Sequence, residues 1–134
     1  MSSDDNVKLV RTAYEAFARG DIAAVLDVID DDCDWAVDAS AEIAPYYGAR
    51  HGKSEVLEFF QALASTFEVA RFEPVAVAGD GDDVLAVVAY AIKSSRTGKS
   101  GSMNIHHHFK VVGGKLRYFR GVEDTALVQS LLAD

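Results

Sequence analysis

Between Ser102 and Val111 the chain alternates with a period of two. Met103, Ile105, His107, Phe109 and Val111 fall on one side, and Ser102, Asn104, His106, His108 and Lys110 on the other. Such alternation predicts a strand with one buried face. It sets His107 alone among apolar neighbours on the inner face and turns His106 and His108 outward. A lone imidazole in an apolar interior is either packed and hydrogen-bonded or a ligand-orienting, proton-handling group.

The rest of the pattern orders helices first, then strands, then a short helix. Val7, Val10, Tyr14 and Phe17 recur at helical spacing between an acidic, Ser-containing start and Gly20. Asp21 caps a second helix with Val25, Leu26, Val28 and Ile29 as its apolar stripe. Asp30-Asp31-Asp32 breaks that stripe and reads as a solvated turn. A calcium site would need further oxygen ligands and a loop glycine that the segment lacks. A short strand follows at 34–38, with Trp35 and Val37 on one face, and 40–51 reads as a loop. A third helix after Gly52 buries Val56, Phe59, Phe60, Leu63 and Phe67. Long strands then span 67–78, 84–92 and 100–112, separated by turns at 79–82 and 96–99. Gly113-Gly114 leads into a last strand at 115–122. Asp124 or Thr125 caps a final helical turn carrying Leu127, Val128 and Leu131.

The strand at 84–92 is apolar on both faces, with Val84, Ala86, Val88 and Tyr90 set against Leu85, Val87, Ala89 and Ala91. Such a strand needs cover on both sides. Helices cover one face, and a second subunit is the simplest cover for the other. The expectation is a homodimer packed through its sheets. The alternative is a chain that folds its own loops over that face.

Composition narrows the function classes. The 134 residues carry a net charge of −8 and suit one domain, 1–134. That acidity argues against nucleic acid and anionic membrane as partners, since both reward clustered Lys and Arg. Cys33 is the single cysteine, so no intrachain disulfide forms, and its flanking aspartates work against a reactive thiolate. With no signal-peptide pattern and no membrane-length apolar run, the expected location is cytoplasmic.

Several short motifs occur together in a telling order. They are Ala18-Arg19-Gly20-Asp21, Trp35, the run Tyr46-Tyr47-Gly48-Ala49-Arg50-His51-Gly52-Lys53, and Leu57-Glu58-Phe59-Phe60. Towards the end come His108-Phe109-Lys110-Val111, Gly114-Lys115-Leu116 and Glu123-Asp124-Thr125. In this the chain resembles the SnoaL-like proteins of the nuclear-transport-factor-2-like (NTF2-like) superfamily. The resemblance implies an α+β, cone-shaped, cystatin-like fold, with three N-terminal helices on a curved, mixed, mostly antiparallel sheet. It also implies a cavity between the helices and the concave sheet face, and dimers. Members include steroid isomerases, polyketide cyclases, epoxide hydrolases and dehydratases, so the fold does not fix the activity.

The steroid-isomerase residues are absent. By count from Gly20-Asp21, that family's tyrosine falls on Ala13, its base on Val37 and its strand acid on His107; Tyr14 and Asp38 are each one residue off. The cyclase acid on the last strand falls on Gly121, and the next acids are Glu123 and Asp124. The hairpin register decides what faces His107. A two-residue turn at Gly113-Gly114 pairs His107 with Arg120 and points Leu116, Tyr118 and Val122 inward. A three-residue loop with a bulge glycine pairs it with Phe119 and turns Gly121 and Glu123 inward. The family pattern favours the second, and the apolar pattern favours the first.

The candidates for acid/base chemistry are His107, Glu123 and Tyr14. Those for lining a ligand pocket are Trp35, Tyr46, Phe59, Phe109, Phe119 and Arg120. Tyr46 and Tyr47 sit in a loop that can lid the cavity, at least one of them exposed. His51 packs at the start of the third helix, and Arg50 and Lys53 are surface charges. His106 and His108 make a solvated or interface pair, since two imidazoles without a third ligand make no zinc site. The expected occupant is an apolar small molecule, with no cofactor and no metal. The function expected is a small-molecule-binding protein, catalytic in the isomerase, cyclase or hydrolase manner. The alternative is a non-catalytic binding protein or a dimeric accessory subunit.

Overall fold

A computed structural model describes residues 2–134. Helix α1 (Ser3–Ala18) starts at a capping box in which the Ser2 hydroxyl accepts from the Asp5 N–H and the Asp5 carboxylate accepts from Ser2. Helix α2 (Ile22–Asp27) is capped by the Asp21 side chain. Strands β1 (Ile29–Val37) and β2 (Gly48–His51) precede α3 (Gly52–Thr66). Then come β3 (Phe67–Asp80), β4 (Asp83–Ser94), β5 (Ser100–Val112), β6 (Lys115–Val122) and α4 (Thr125–Leu132). Asp124, not Thr125, caps α4, accepting from the Leu127 N–H at 3.0 Å.

All six strands join one sheet in the order β2-β1-β6-β5-β4-β3. Only β1 and β6 run parallel; the other pairs are antiparallel. Register breaks in β3, at 69–71 and 74–76, and others in the β1–β6 and β5–β6 pairs, curl the sheet around the helices. Pro74 sits at one of these breaks on an edge strand, where its missing N–H costs no ladder bond. Helices α1 and α3 pack on the concave face, α1 against β3 and β4, and α3 against β1.

Several element boundaries differ from the sequence pattern, β4 among them at Asp83–Ser94 against 84–92. Ile29 belongs to β1, and Asp30-Asp31-Asp32 lies within that strand instead of in a turn. The β1–β6 register shifts between Ile29 and Asp34, which lets Asp31 and Asp32 stand exposed while the strand continues. The 40–51 segment ends in β2, an edge strand of four residues that exists only because β1 pairs with it. The third strand also reaches Asp80, which pairs with Asp83 across a tight turn.

The β5–β6 hairpin corrects both proposed registers. Gly113 (φ 58°) and Gly114 (φ 76°) make a two-residue turn of the kind that needs two left-handed positions. Val112 pairs with Lys115 and Val111 with Leu116, but Lys110 pairs with Tyr118, leaving Arg117 as an extra residue. His107 therefore pairs with Gly121, neither with Arg120 nor with Phe119. The bulge lies inside β6, beyond the turn. It allows Leu116 before it, and Phe119 and Gly121 after it, all to be buried.

On β4, the inner residues Val84, Ala86, Val88, Tyr90 and Ile92 are buried, whereas Leu85 on the outer face is 56% exposed. No loop of the described residues covers it. No helix among the described residues is long and apolar enough to cross a membrane.

Candidate functional site

The concave face and the helices enclose a hollow of about 70 Å³. That is several times the roughly 10–15 Å³ a single water needs, and short of the ~300 Å³ at which drug-sized pockets begin. It suits a compact guest. Aromatic side chains dominate the wall. Trp35 stacks on Phe119 at 4.1 Å, and β1–β6 pairing places these two residues side by side. Phe59 and Phe60 meet the Trp35 ring edge-on at 5.5 and 5.7 Å.

The polar groups are few. His107 projects from β5, and its Nδ1 lies 2.7 Å from the Tyr14 hydroxyl on α1. Tyr14 is buried and has no other acceptor among the described residues, so its hydroxyl donates to Nδ1. The ring hydrogen then sits on Nε2, which has no protein partner among the described residues. Burial, reinforced by neighbouring His106, lowers His107 to about 3. At neutral pH it is an uncharged N–H donor at the wall of the hollow, not a proton source. Burial also drives the Tyr14 hydroxyl well above its ordinary range.

Glu123 follows β6 directly and also lines the hollow. Its Oε1 accepts from Tyr46 at 2.8 Å and from Tyr47 at 3.0 Å. Burial raises its carboxyl above the usual carboxylate range, although the two phenols pull the other way. Oε1 is thus occupied, and Oε2 carries no protein hydrogen bond among the described residues. A carboxyl held so can exchange a proton with a guest.

The structure brings His107, Tyr14, Glu123, Trp35, Phe59, Phe109 and Phe119 to one hollow. Two candidates lie elsewhere. Arg120 projects from the opposite sheet face, where it meets Asp34 at 3.0 Å and stacks on Tyr118 at 4.4 Å. The parity of β6 after the bulge places it there. Tyr46 is not on the wall but behind Glu123. Neither Tyr46 (0%) nor Tyr47 (1%) is exposed, so the segment that carries them is a buried clamp on Glu123 and not a lid with a solvent-facing ring. His51 is exposed at the α3 N-cap and makes no side-chain cap bond there, so it does not pack. Arg50 faces Glu58 at 3.7 Å and Lys53 faces Asp31 at 3.7 Å. His108 bonds Asp83 at 2.7 Å on the outer face. Cys33 is buried, and burial, then Asp34 and Asp30, pushes its thiol up to about 12.

Gly121 is where the resemblance to SnoaL-like cyclases leads one to expect an acid. A Cβ there would meet the Phe119 ring at 3.0 Å and Val37 at 3.4 Å. The space that another side chain would fill is taken by the Phe119 ring, and the nearest acid on that face is two residues further on.

Sequence reasoning missed Tyr90 as a site residue. It is buried on the inner face of β4 and lines the hollow. The only signal was its place as the one aromatic residue in an apolar strand, which reads as packing.

The SnoaL-like domain family matches residues 10–119. The chain belongs to that family. An NTF2-like protein of unknown function from Burkholderia pseudomallei superposes with a TM-score of 0.90 at 25% identity, covering 100% of both chains. An NTF2-like protein from Burkholderia thailandensis gives 0.88 at 27%, again over 100% of both. TerC, co-crystallised with polyporic acid, gives 0.86 at 20%, covering 95% of this chain and 97% of its own. A comparison with curated proteins finds no match.

Proposed function

We infer that this SnoaL-like protein binds a compact, largely apolar small molecule in the hollow and performs cofactor-free acid/base chemistry of the isomerase, cyclase or hydrolase type on it. The reading rests on one observation: in a mostly apolar wall, a carboxyl clamped by two buried phenols and an imidazole held by a third phenol face the same space. Glu123 takes and returns the proton. The Nε2–H of His107 holds a developing oxygen charge, an electrostatic role that suits a neutral donor. Tyr14 fixes the tautomer. That the shared fold takes an organic guest in TerC supports the reading.

A second reading, a non-catalytic binding protein, is favoured by Gly121 at the cyclase acid's place. Native mass spectrometry of freshly purified protein is the starting experiment, because it weighs a retained guest and counts subunits together. With the guest or its analogue in hand, Glu123→Gln keeps affinity within a few-fold and lowers turnover by about 100-fold or more. Gln still accepts from Tyr46 and Tyr47, so the fold is not the variable. Unchanged turnover rejects Glu123 as the acid/base, and binding without any turnover selects the second reading.

The uncovered outer face supports a homodimer packed sheet to sheet. Leu85 (56%) and Val122 (58%) are among the most exposed large apolar residues.

A further inference from the structure

The interior tyrosines divide into committed and free. Tyr14 is spent on His107, and Tyr46 and Tyr47 are spent on Glu123. Tyr90 is 3% exposed, yet its hydroxyl has no hydrogen-bond partner among the described residues. Nor is that hydroxyl one of the sealed orphan atoms, which are Asn6 Oδ1, Trp35 Nε1 and Arg50 Nε. Since Tyr90 lines the hollow, its hydroxyl opens onto the space a guest would take. Buried hydroxyls are ordinarily partnered, and one left free at a cavity wall marks a contact waiting for its acceptor.

Its position within the hollow is fixed by the sheet. Tyr90 on β4 pairs with Met103 on β5, and the Asp124 N–H just past β6 donates to the Met103 sulfur at 3.4 Å. Tyr90 and Glu123 therefore lean over the same short stretch of β5 from the two sides, their strands about 10 Å apart. The Glu123 charge is felt at Tyr90, second only to burial in holding its hydroxyl protonated. A phenol that stays protonated beside a carboxyl is a donor. Among the described residues no Lys or Arg lines the hollow, so none of them would balance an anionic guest there.

We propose that Tyr90 is a specificity-determining residue of this site, whose hydroxyl donates a hydrogen bond to a neutral carbonyl or ether oxygen of the guest at the end of the hollow held by Glu123. This rests on the small-molecule reading above and adds to it the polarity of the guest: uncharged, compact, with an acceptor oxygen at that end.

Two probes of one shape test it. Acetophenone carries the acceptor, and α-methylstyrene replaces its C=O by C=CH2. The wild-type protein binds acetophenone more tightly in calorimetric or NMR titration. Tyr90→Phe weakens acetophenone by about five-fold, the worth of one neutral hydrogen bond, and leaves α-methylstyrene unchanged. Because the hydroxyl has no partner among the described residues, the unliganded variant keeps its melting temperature. Equal loss for both probes, no loss for either, no wild-type preference, or a melting temperature lowered by several degrees would each overturn the proposal. If both probes bind but Tyr90→Phe changes neither, only the role of Tyr90 falls. If neither binds at millimolar concentration, the small-molecule reading falls with it.

Discussion

His107 and His108 are neighbours in the chain and identical in type, yet the sheet gives them opposite circumstances. The His107 ring meets Tyr14, Phe109 and Phe119, and burial lowers it to about 3. The His108 ring lies over Tyr118 on the outer face and bonds a carboxylate, Asp83, with water close by. A similar contrast appears on β4, where Val84 and Val88 are sealed, Leu85 is open, and Val87, Ala89 and Ala91 are half-buried. Chemistry here follows strand parity. One face makes a neutral donor out of an imidazole, and the other leaves it at the surface, bonded to a carboxylate.

The sharpest way to break this comparison is to cut the inner wall and the outer face in turn. Phe119 is 3% exposed, stacks on Trp35 and fills the space over Gly121. Phe119→Ala should cost about 3–5 kcal/mol in urea unfolding, as buried aromatics do. Leu85→Ala should cost less than about 0.5 kcal/mol in a dilute monomer. Comparable losses at the two positions would mean that the faces are not distinct. A loss at Leu85 that grows with protein concentration would show the outer face covered by a second copy.

A smaller effect sharpens the account of His107 itself. Tyr14→Phe removes the only partner of Nδ1 among the described residues and should cost about 1–3 kcal/mol. Nitrogen NMR should find the ring hydrogen on Nε2 in the wild-type protein and lose that preference in the variant. The pH dependence follows from the same burial. With a folded value of about 3 against 6.5 for a free imidazole, the unfolded chain binds more protons throughout that interval. Stability therefore rises with pH across it, and the contribution is lost as pH falls from 6.5 towards 3. Glu123 has the opposite sign. Its raised carboxyl binds a proton more readily folded than unfolded, so its contribution declines as pH rises through the folded value. His107→Phe should flatten the acid limb and Glu123→Gln the other. A profile unchanged by His107→Phe would remove burial as the cause.

Much of this contrast was legible in the residue pattern, because parity is local. The alternation from Met103 to Val111 placed His107 inside and its neighbours outside without knowledge of any partner strand. The helix carrying Tyr14 and the wall residues Trp35, Phe59 and Phe109 followed from spacing in the same way. What the pattern could not supply was pairing between distant segments. The β6 bulge at Arg117 depends on how β6 sits against β5, and it moved Arg120 out of the site. The strand character of Asp30-Asp31-Asp32 depends on β6 as a parallel neighbour. Tyr46 and Tyr47 looked like loop aromatics because Glu123, the acid they hold, lies 77 and 76 residues away. Tyr90 was hidden for a different reason: an uncommitted hydroxyl is recognised only once the partners of all the other phenols are known.

The smallest expected effect lies on the outer face, and it is small for a physical reason. His108 Nε2 and Asp83 Oδ1 approach to 2.7 Å, as close as the inner His107–Tyr14 bond. Their side chains are 37% and 46% exposed, so water competes for both groups and dissolved salt screens them. The bond from His108 holds the Asp83 carboxyl below its usual range without making it a structural necessity. Asp83→Asn should accordingly leave the melting temperature within about 1 °C at physiological salt, where a surface pair contributes little. The His107 ring signals should not move, since the sheet backbone separates the two faces. A loss of several degrees, growing as the protein is concentrated, would mean that a second copy buries this pair. The two faces would then differ in what covers them and no longer in whether they are covered.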